Sequence, residues 1–448
     1  MSVIGKASAS PTKAFFVRML TRDIELSDCV FDLLDNSIDG AWQASGKSSS
    51  TFAADQALTG FKVEIKISDT EFNIKDNCGG ISLDAAQKYA FTFGRSPQAG
   101  QPNGTVGVYG IGMKRAVFKL GNKIKVKSSH NSGGNIESFE VPIDVDKWLQ
   151  NEGANWDFDI SETLPLEENG VEISVGRLTE ETANEFRDPS FEQRMRREIA
   201  REYMMPIMRG LEIVVNGSKV RSRQLNFRKN SNFSPMRSEY KDGGVSIVIV
   251  AGMQTLPPND LDADNDNKRQ DQDSGWYVAC NGRVVVTADK TTLTGWGLNL
   301  PKWHSQYQGF LGIVLMSSDD PSELPMTTTK RSVDPSSLLY RRTLVRMTEP
   351  ARAWTRYTNS RKQYDDLRDL ENEDFEQVNL FDVPPSPALA LPVASGSKRG
   401  SDRPANVSYA VAKPRLRRLA TALGDASMSY REVGLQTFDL AYDDLVGE

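Results

Sequence analysis

The segment CVFDLLDNSIDGAW (residues 29–42) carries three aspartates and an asparagine among apolar residues that recur at helical spacing. At about 100° per residue with Val30 at zero, Leu33, Leu34, Ile38 and Ala41 fall within roughly 80° of it, whereas Asp32, Asp35, Asn36 and Asp39 fall between roughly 140° and 240°. Asp32 and Asn36 are i,i+4 neighbours on that second face. A carboxamide oxygen is a hard ligand suited to Mg2+, and a carboxylate beside it can polarise or deprotonate water. Taken alone, the same helix also reads as an amphipathic helix showing a solvated acidic face.

Two glycine-rich turns follow. IKDNCGGIS (74–82) ends an expected strand on Asp76 and continues through Gly79 and Gly80. Paired glycines serve a tight turn; they also let a flat base approach the backbone while Asp76 accepts a hydrogen bond from an amine. GVYGIGMKRAVFKLG (107–121) sets Gly107, Gly110 and Gly112 just before a helix bearing Lys114 and Arg115. Glycine-rich backbone at a helix N-terminus is suited to cradle phosphate, although the order is not that of a strand–G-x-G-x-x-G–helix dinucleotide unit.

Composition limits what else could act. The chain has 448 residues and a mass of 49.7 kDa, enough for two or three domains. Only two histidines, His130 and His304, and three cysteines, Cys29, Cys78 and Cys280, are present, and none shows metal-ligand spacing. Scattered cysteines argue against a disulfide scaffold and for a reducing compartment. Chemistry is therefore expected from carboxylates, lysines and backbone amides. The net charge of −6 does not advertise a nucleic-acid binder. With no signal peptide at the N-terminus and no apolar run of membrane-spanning length, the expected location is cytoplasmic, with no membrane partner.

The elements that would position these residues are a helix over 13–44, a hairpin over 61–75 turning at Ser-Asp-Thr, a helix at 83–93 and another from Gly112. Strands are expected at 122–129, 136–142 and 170–176, then a long charged helix over 179–205. A second block opens at LEIVVNG (211–217), with strands at 245–251, 276–287 and 309–316 and a helix from 335. Past 380 the composition turns to Pro, Ala and Ser and reads as a linker before a short helical tail.

Taken in order, the three segments resemble the GHKL ATPases: gyrase B, the heat-shock chaperones of that class, histidine kinases and MutL proteins. DLLDNSIDGA resembles the family's first motif, DNCGGI the D-x-G-x-G motif and GVYGIGMK the third, with the preceding Gly/Pro-rich loop in the place of the ATP lid. The resemblance implies a Bergerat ATP-binding fold, with Asn36 holding Mg2+, Asp32 as general base, Asp76 on the adenine amine, and Gly80, Gly107, Gly110, Gly112 and Lys114 around the nucleotide. Three departures accompany it. The base is Asp32 where Glu is usual, so hydrolysis is expected to be slow; Cys78 replaces the first Gly of the second motif; and Val171 stands where Thr is common beside the adenine.

The resemblance continues through WYVACNGRVV and PMTTTKRSVD, which look like the transducer domain of the MutL, MORC and topoisomerase branch and imply that Lys330 reaches the γ-phosphate. DNSIDGA and GVYGIGMK look most like MORC-type and uncharacterised bacterial GHKL proteins. The implied fold is α+β: a Bergerat-type α/β sandwich over 1–210, a smaller transducer-like α/β domain over 211–365, and an acidic segment, linker and tail over 366–448. The implied activity is Mg-dependent ATP hydrolysis with lid closure and homodimerisation on ATP, acting on DNA or a partner effector protein in bacterial defence or DNA maintenance. The alternatives are a nucleotide-gated binding module that does not hydrolyse, and a chaperone-like remodeller.

Other charged features read as solvated surface. Asp262, Asp264, Asp266 and Asp273 have calcium-loop spacing, but Asn267 stands where that loop needs Gly and no bidentate Glu follows. Lys398, Arg399, Arg403, Lys413, Arg415, Arg417 and Arg418 form a basic run, read as a linker balanced by an acidic tail or as a phosphate-backbone contact.

Overall fold

The structure, a computed structural model, describes residues 11–49, 55–93, 106, 111–151, 156–258, 273–364, 366–371, 373–394 and 410–446. Gly107, Gly110, the loop before them apart from Val106, and the acidic loop 259–272 lie outside the described residues. Two compact units emerge, Met1–Gly396 and Ser397–Glu448.

The helix expected over 13–44 is two helices, α1 (Lys13–Thr21) and α2 (Leu26–Ser45). Glu25 between them is extended. An extended residue sends its two neighbours to one side of the chain, and here both Ile24 and Leu26 enter the core. α2 stops at Gly46, whose φ of 65° lets its N–H turn back to the Gln43 carbonyl at 3.1 Å.

The expected hairpin forms from β1 (Lys62–Ile67) and β2 (Glu71–Asp76). A helical turn, α3 (Leu83–Ala85), runs on as a π-helix over Ala86–Ala90. α4 (Gly112–Leu120) feeds β3 (Gly121–Ser132), followed by β4 (Asn135–Asp144), α5 (Val145–Gln150), β5 (Ser161–Glu162) and β6 (Gly170–Leu178). The long charged helix is three helices: α6 (Glu180–Arg187), α7 (Pro189–Glu202) and α8 (Met204–Met208). Asp188 and Pro189 make the first break. The Asp188 carboxylate accepts the Ser190 N–H at 2.8 Å, and Pro189 sits in the first turn, where its missing N–H forfeits no helical bond.

β7 (Glu212–Val215) then pairs in parallel with β1, and β8 (Ser218–Lys219) pairs with β7. The first sheet has the order β5-β4-β3-β6-β2-β1-β7-β8. It extends past residue 210, because LEIVV supplies an apolar strand that β1 can bind at its free edge. Val30, Leu33, Leu34 and Ile38 of α2 pack with Val63, Ile65, Ile74, Val126 and Val175 of this sheet in one core. The apolar face calculated for α2 is thereby spent on the sheet, and its polar face points the other way.

The second sheet has the order β10-β11-β14-β12-β13, built from β10 (Met236–Asp242), β11 (Val245–Met253), β12 (Gly275–Cys280), β13 (Arg283–Asp289) and β14 (Phe310–Ser317), after a short β9 (Asn226–Lys229). β14 is buried on both faces, which explains its uninterrupted apolar run. Phe310, Val314 and Met316 share a core with Met347, Ala351 and Trp354 of α9 (Leu338–Arg361), whereas Leu311, Ile313 and Leu315 meet Met204 and Met205 of α8. α8 therefore locks the second sheet beside the first. The unit closes with α10 (Asp366–Glu371) and β15 (Glu376–Asn379), which pairs with β9.

Among its described residues the second unit holds two helices, α11 (Lys413–Ala422) and α12 (Tyr430–Val446). Among the described residues no helix is long and apolar enough to cross a membrane.

Candidate functional site

The polar face of α2 is not a solvated face. Asp32, Asp35 and Asp39 are buried, and of the four polar residues there only Asn36 is exposed. Three buried carboxylates need partners, and elements from across the first unit supply them.

Asp32 is gripped at both oxygens. Its Oδ2 accepts from Arg115 Nε of α4 at 2.6 Å, and its Oδ1 accepts from Lys330 Nζ at 3.3 Å. The N-terminus of α4 lies directly over it: a Cβ placed on Gly112 would stand 3.2 Å from Asp32 Cγ. Gly112 therefore leaves room for the carboxylate as much as for any phosphate.

Asp35 is the hub. Its Oδ2 accepts from Lys330 Nζ at 2.6 Å, while its Oδ1 accepts from Arg283 Nη1 at 3.0 Å and the Tyr203 hydroxyl at 2.9 Å. Lys330 reaches it from a tight turn closed by the Thr327 N–H on the Ser332 carbonyl at 3.0 Å and the Lys330 N–H on the Thr327 carbonyl at 2.9 Å. Burial opposes the lysine charge, yet Asp35 and Asp32 outweigh it and hold the Lys330 pKa above its ordinary value. Its neighbour Arg331 pairs with Asp28, with Glu202 at 3.3 Å and with Glu198 at 3.5 Å. Arg283 also binds Glu202 at 2.7 Å and lies over the Tyr203 ring at 4.1 Å. Five carboxylates (Asp28, Asp32, Asp35, Glu198, Glu202) thus face four cations (Arg115, Arg283, Lys330, Arg331), drawn from both sheets' neighbourhoods onto one helix face.

On the sheet-facing side of α2, Ser37 Oγ donates to Asp76 Oδ2 at 2.6 Å. The Asp76 Oδ1 accepts the backbone N–H groups of Cys78 at 3.0 Å and Val171 at 3.1 Å. Burial pushes the Asp76 carboxyl above its ordinary pKa, against the opposite pull of these three donors. The carboxylate is fixed in position, and Val171 contributes through its backbone rather than its side chain.

The glycines of this turn are packing devices. Gly80 has a φ of 72°, and a Cβ on it would fall 2.1 Å from the Ser129 carbonyl oxygen. A Cβ on Gly40 of α2 would fall 2.8 Å from the Cys78 carbonyl oxygen, so Gly40 lets the helix press against the turn. Lys114 is turned inward: it is buried, donates to the Ala90 carbonyl at 3.0 Å, and burial draws its pKa down to about 8. Asp39 accepts the N–H of Val106 at 2.8 Å, tying α2 to the one described residue of the loop before α4.

The structure thus gathers Asp32, Asn36, Asp76, Gly112 and Lys330 on or against α2. Gly80 and Lys114 are engaged in internal contacts, and Gly107 and Gly110 lie outside the described residues. Residues 24–164 match the family described as Histidine kinase-, DNA gyrase B-, and HSP90-like ATPase. The chain carries an N-terminal GHKL ATPase domain. No curated protein matches the chain.

The GHKL match takes in Asp32, Asn36, Asp76, Gly112 and Lys114 and stops well before Arg283 and Lys330, which therefore reach the GHKL domain from outside the matched span. Among the described residues no group of three His, Cys, Asp or Glu is placed to hold a metal ion. Mg2+ commonly takes one or two protein oxygens and completes its shell with phosphate and water. Exposed Asn36, one turn from buried Asp32, suits that mode of binding. Sequence reasoning gave no role to Asp35, Ser37, Gly40, Tyr203 or Arg283. For Asp35 a signal existed, since a third acid on the polar face of a largely apolar helix calls for a cation.

Proposed function

We propose that the GHKL domain binds Mg-ATP against α2, between the Asp76 turn and the helix's polar residues, and hydrolyses it slowly, with the second sheet acting as a transducer-like domain. The observation that carries this reading is the joining of three separate parts of the chain on one helix: Asp76 fixed through Ser37, Gly112 set over Asp32, and Lys330 delivered to Asp32 and Asp35. In this reading Asp76 accepts the adenine amine and Asn36 would hold Mg2+, which would supply positive charge beside the phosphate oxygens. Lys330 leaves the aspartates for the γ-phosphate, where a fixed positive charge stabilises the charge that develops during transfer. Its departure frees Asp32 Oδ1 to orient and deprotonate water while Arg115 keeps the other oxygen in place. Closure of the loop before α4 and homodimerisation then carry the nucleotide state to DNA or to a partner protein, as the resemblance to MORC-type proteins implies.

A second reading has an observation of its own. Asp32 is a methylene shorter than Glu, and both its oxygens already accept charged hydrogen bonds. Were Lys330 to stay in place, ATP would act as a switch ligand without turnover.

Multiple-turnover hydrolysis, measured with direct ATP binding, separates the two. The wild type is expected to turn over more than once, and Asp32→Asn to bind ATP within about threefold of it while turning over at least ~100-fold more slowly. Wild type that binds without turnover establishes the switch. Undiminished turnover in Asp32→Asn removes that residue from the chemistry.

A further inference from the structure

The described residues of the second unit form two helices with almost no core. Of its described residues, 410–446, only Ala420 of α11 and Val433 of α12 are buried. A unit as small as Ser397–Glu448 is marginal unless a disulfide, a metal or another chain supports it, and all three cysteines of the chain lie elsewhere.

α12 shows where another chain would bind. Leu435, Phe438, Tyr442 and Leu445 follow one another at spacings of three, four and three, the rhythm of a helix–helix seam. Measured from Val433, they fall at roughly 120–200° around the helix, on the side opposite the buried contact. They are 54%, 58%, 42% and 82% exposed, and the Phe438 and Tyr442 rings stack with centroids 6.4 Å apart. An aligned apolar stripe of this size on a small unit marks an interaction surface.

Charge identifies the occupant. α12 carries Glu432, Asp439, Asp443 and Asp444 against Arg431, so two α12 helices side by side would set acid near acid. α11 carries Lys413, Arg415, Arg417 and Arg418 with no acid, together with exposed Leu419. We infer that the hairpin associates with a second copy of itself, the Leu435–Phe438–Tyr442–Leu445 stripe of each α12 docking on α11 of the other. Reciprocal contacts of this kind close a two-fold dimer. Acidic α12 then lies against basic α11 twice over, and four helices share one core. The association needs no nucleotide and is independent of the ATP reading.

Sedimentation velocity of the full chain without nucleotide tests it. The wild type is expected to be dimeric at micromolar concentration. Phe438→Glu combined with Leu445→Glu should weaken the dimer at least ~100-fold, because each places a charge in the seam. Leu440→Glu, on the opposite side of α12 and equally open to solvent, should leave it within about threefold. A monomeric wild type overturns the proposal and gives the stripe to a different partner. So does a double variant as dimeric as wild type, or a Leu440→Glu variant that dissociates equally.

Discussion

Replacing Asp76 with Asn is expected to weaken ATP binding at least ~100-fold while leaving the fold intact. The substitution is isosteric, and one amide oxygen can still accept the Cys78 and Val171 N–H groups, the two bonds that seat Oδ1. The other position becomes an NH2. Ser37 can turn its hydroxyl to accept there, so the internal network survives. An adenine amine meeting that NH2 finds a donor where it needs an acceptor, and sites built on a specific buried hydrogen bond discriminate by large factors when it is lost. Calorimetric titration with ATP reads the affinity, and a thermal melt close to wild type shows that the loss is local. Binding within about threefold of wild type would remove Asp76 from base recognition.

Asp35→Ala should strongly destabilise the first unit. It takes a fully buried carboxylate away from Lys330, Arg283 and Tyr203 together. Truncating one partner of a buried charge network costs about 3–5 kcal/mol, mostly as the penalty of the charges left behind. Arg283 keeps Glu202 and Lys330 keeps Asp32, so the lower end, about 3 kcal/mol, is expected. Urea unfolding measures it. A loss below about 1 kcal/mol would mean that Asp35 does not organise the cluster. Turnover should fall as well, since Lys330 is then positioned by Asp32 alone, the residue it has to release.

The two sides of α2 differ in how far they could be read from sequence. The apolar side was legible, because Val30, Leu33, Leu34 and Ile38 recur at the helical period and do pack on the sheet. The polar side was legible as polar and not as buried. Its partners Arg283 and Lys330 lie some 250–300 positions downstream, and no local pattern pairs them with Asp35. Asp188-Pro189 carried a visible stop-and-start signal inside the expected long helix, which the run of charged residues obscured. The first sheet's reach to β8 was not visible for a different reason: LEIVV reads as a strand wherever it pairs, and its partner β1 is decided by tertiary packing. Gly40 and Gly80 were readable as glycines; the carbonyls they accommodate, those of Cys78 and Ser129, were not.

If α2, the Asp76 turn and the start of α4 form one nucleotide site, Mg-ATP should protect all three together. Hydrogen exchange of the wild-type chain with and without Mg-ATP tests it most directly. ATP-dependent protection is expected at residues 32–40, 76–82 and 111–116, with altered exchange in the 326–333 turn as Lys330 changes partners. ATP that binds without protecting these segments, or protects a different part of the chain, would contradict it.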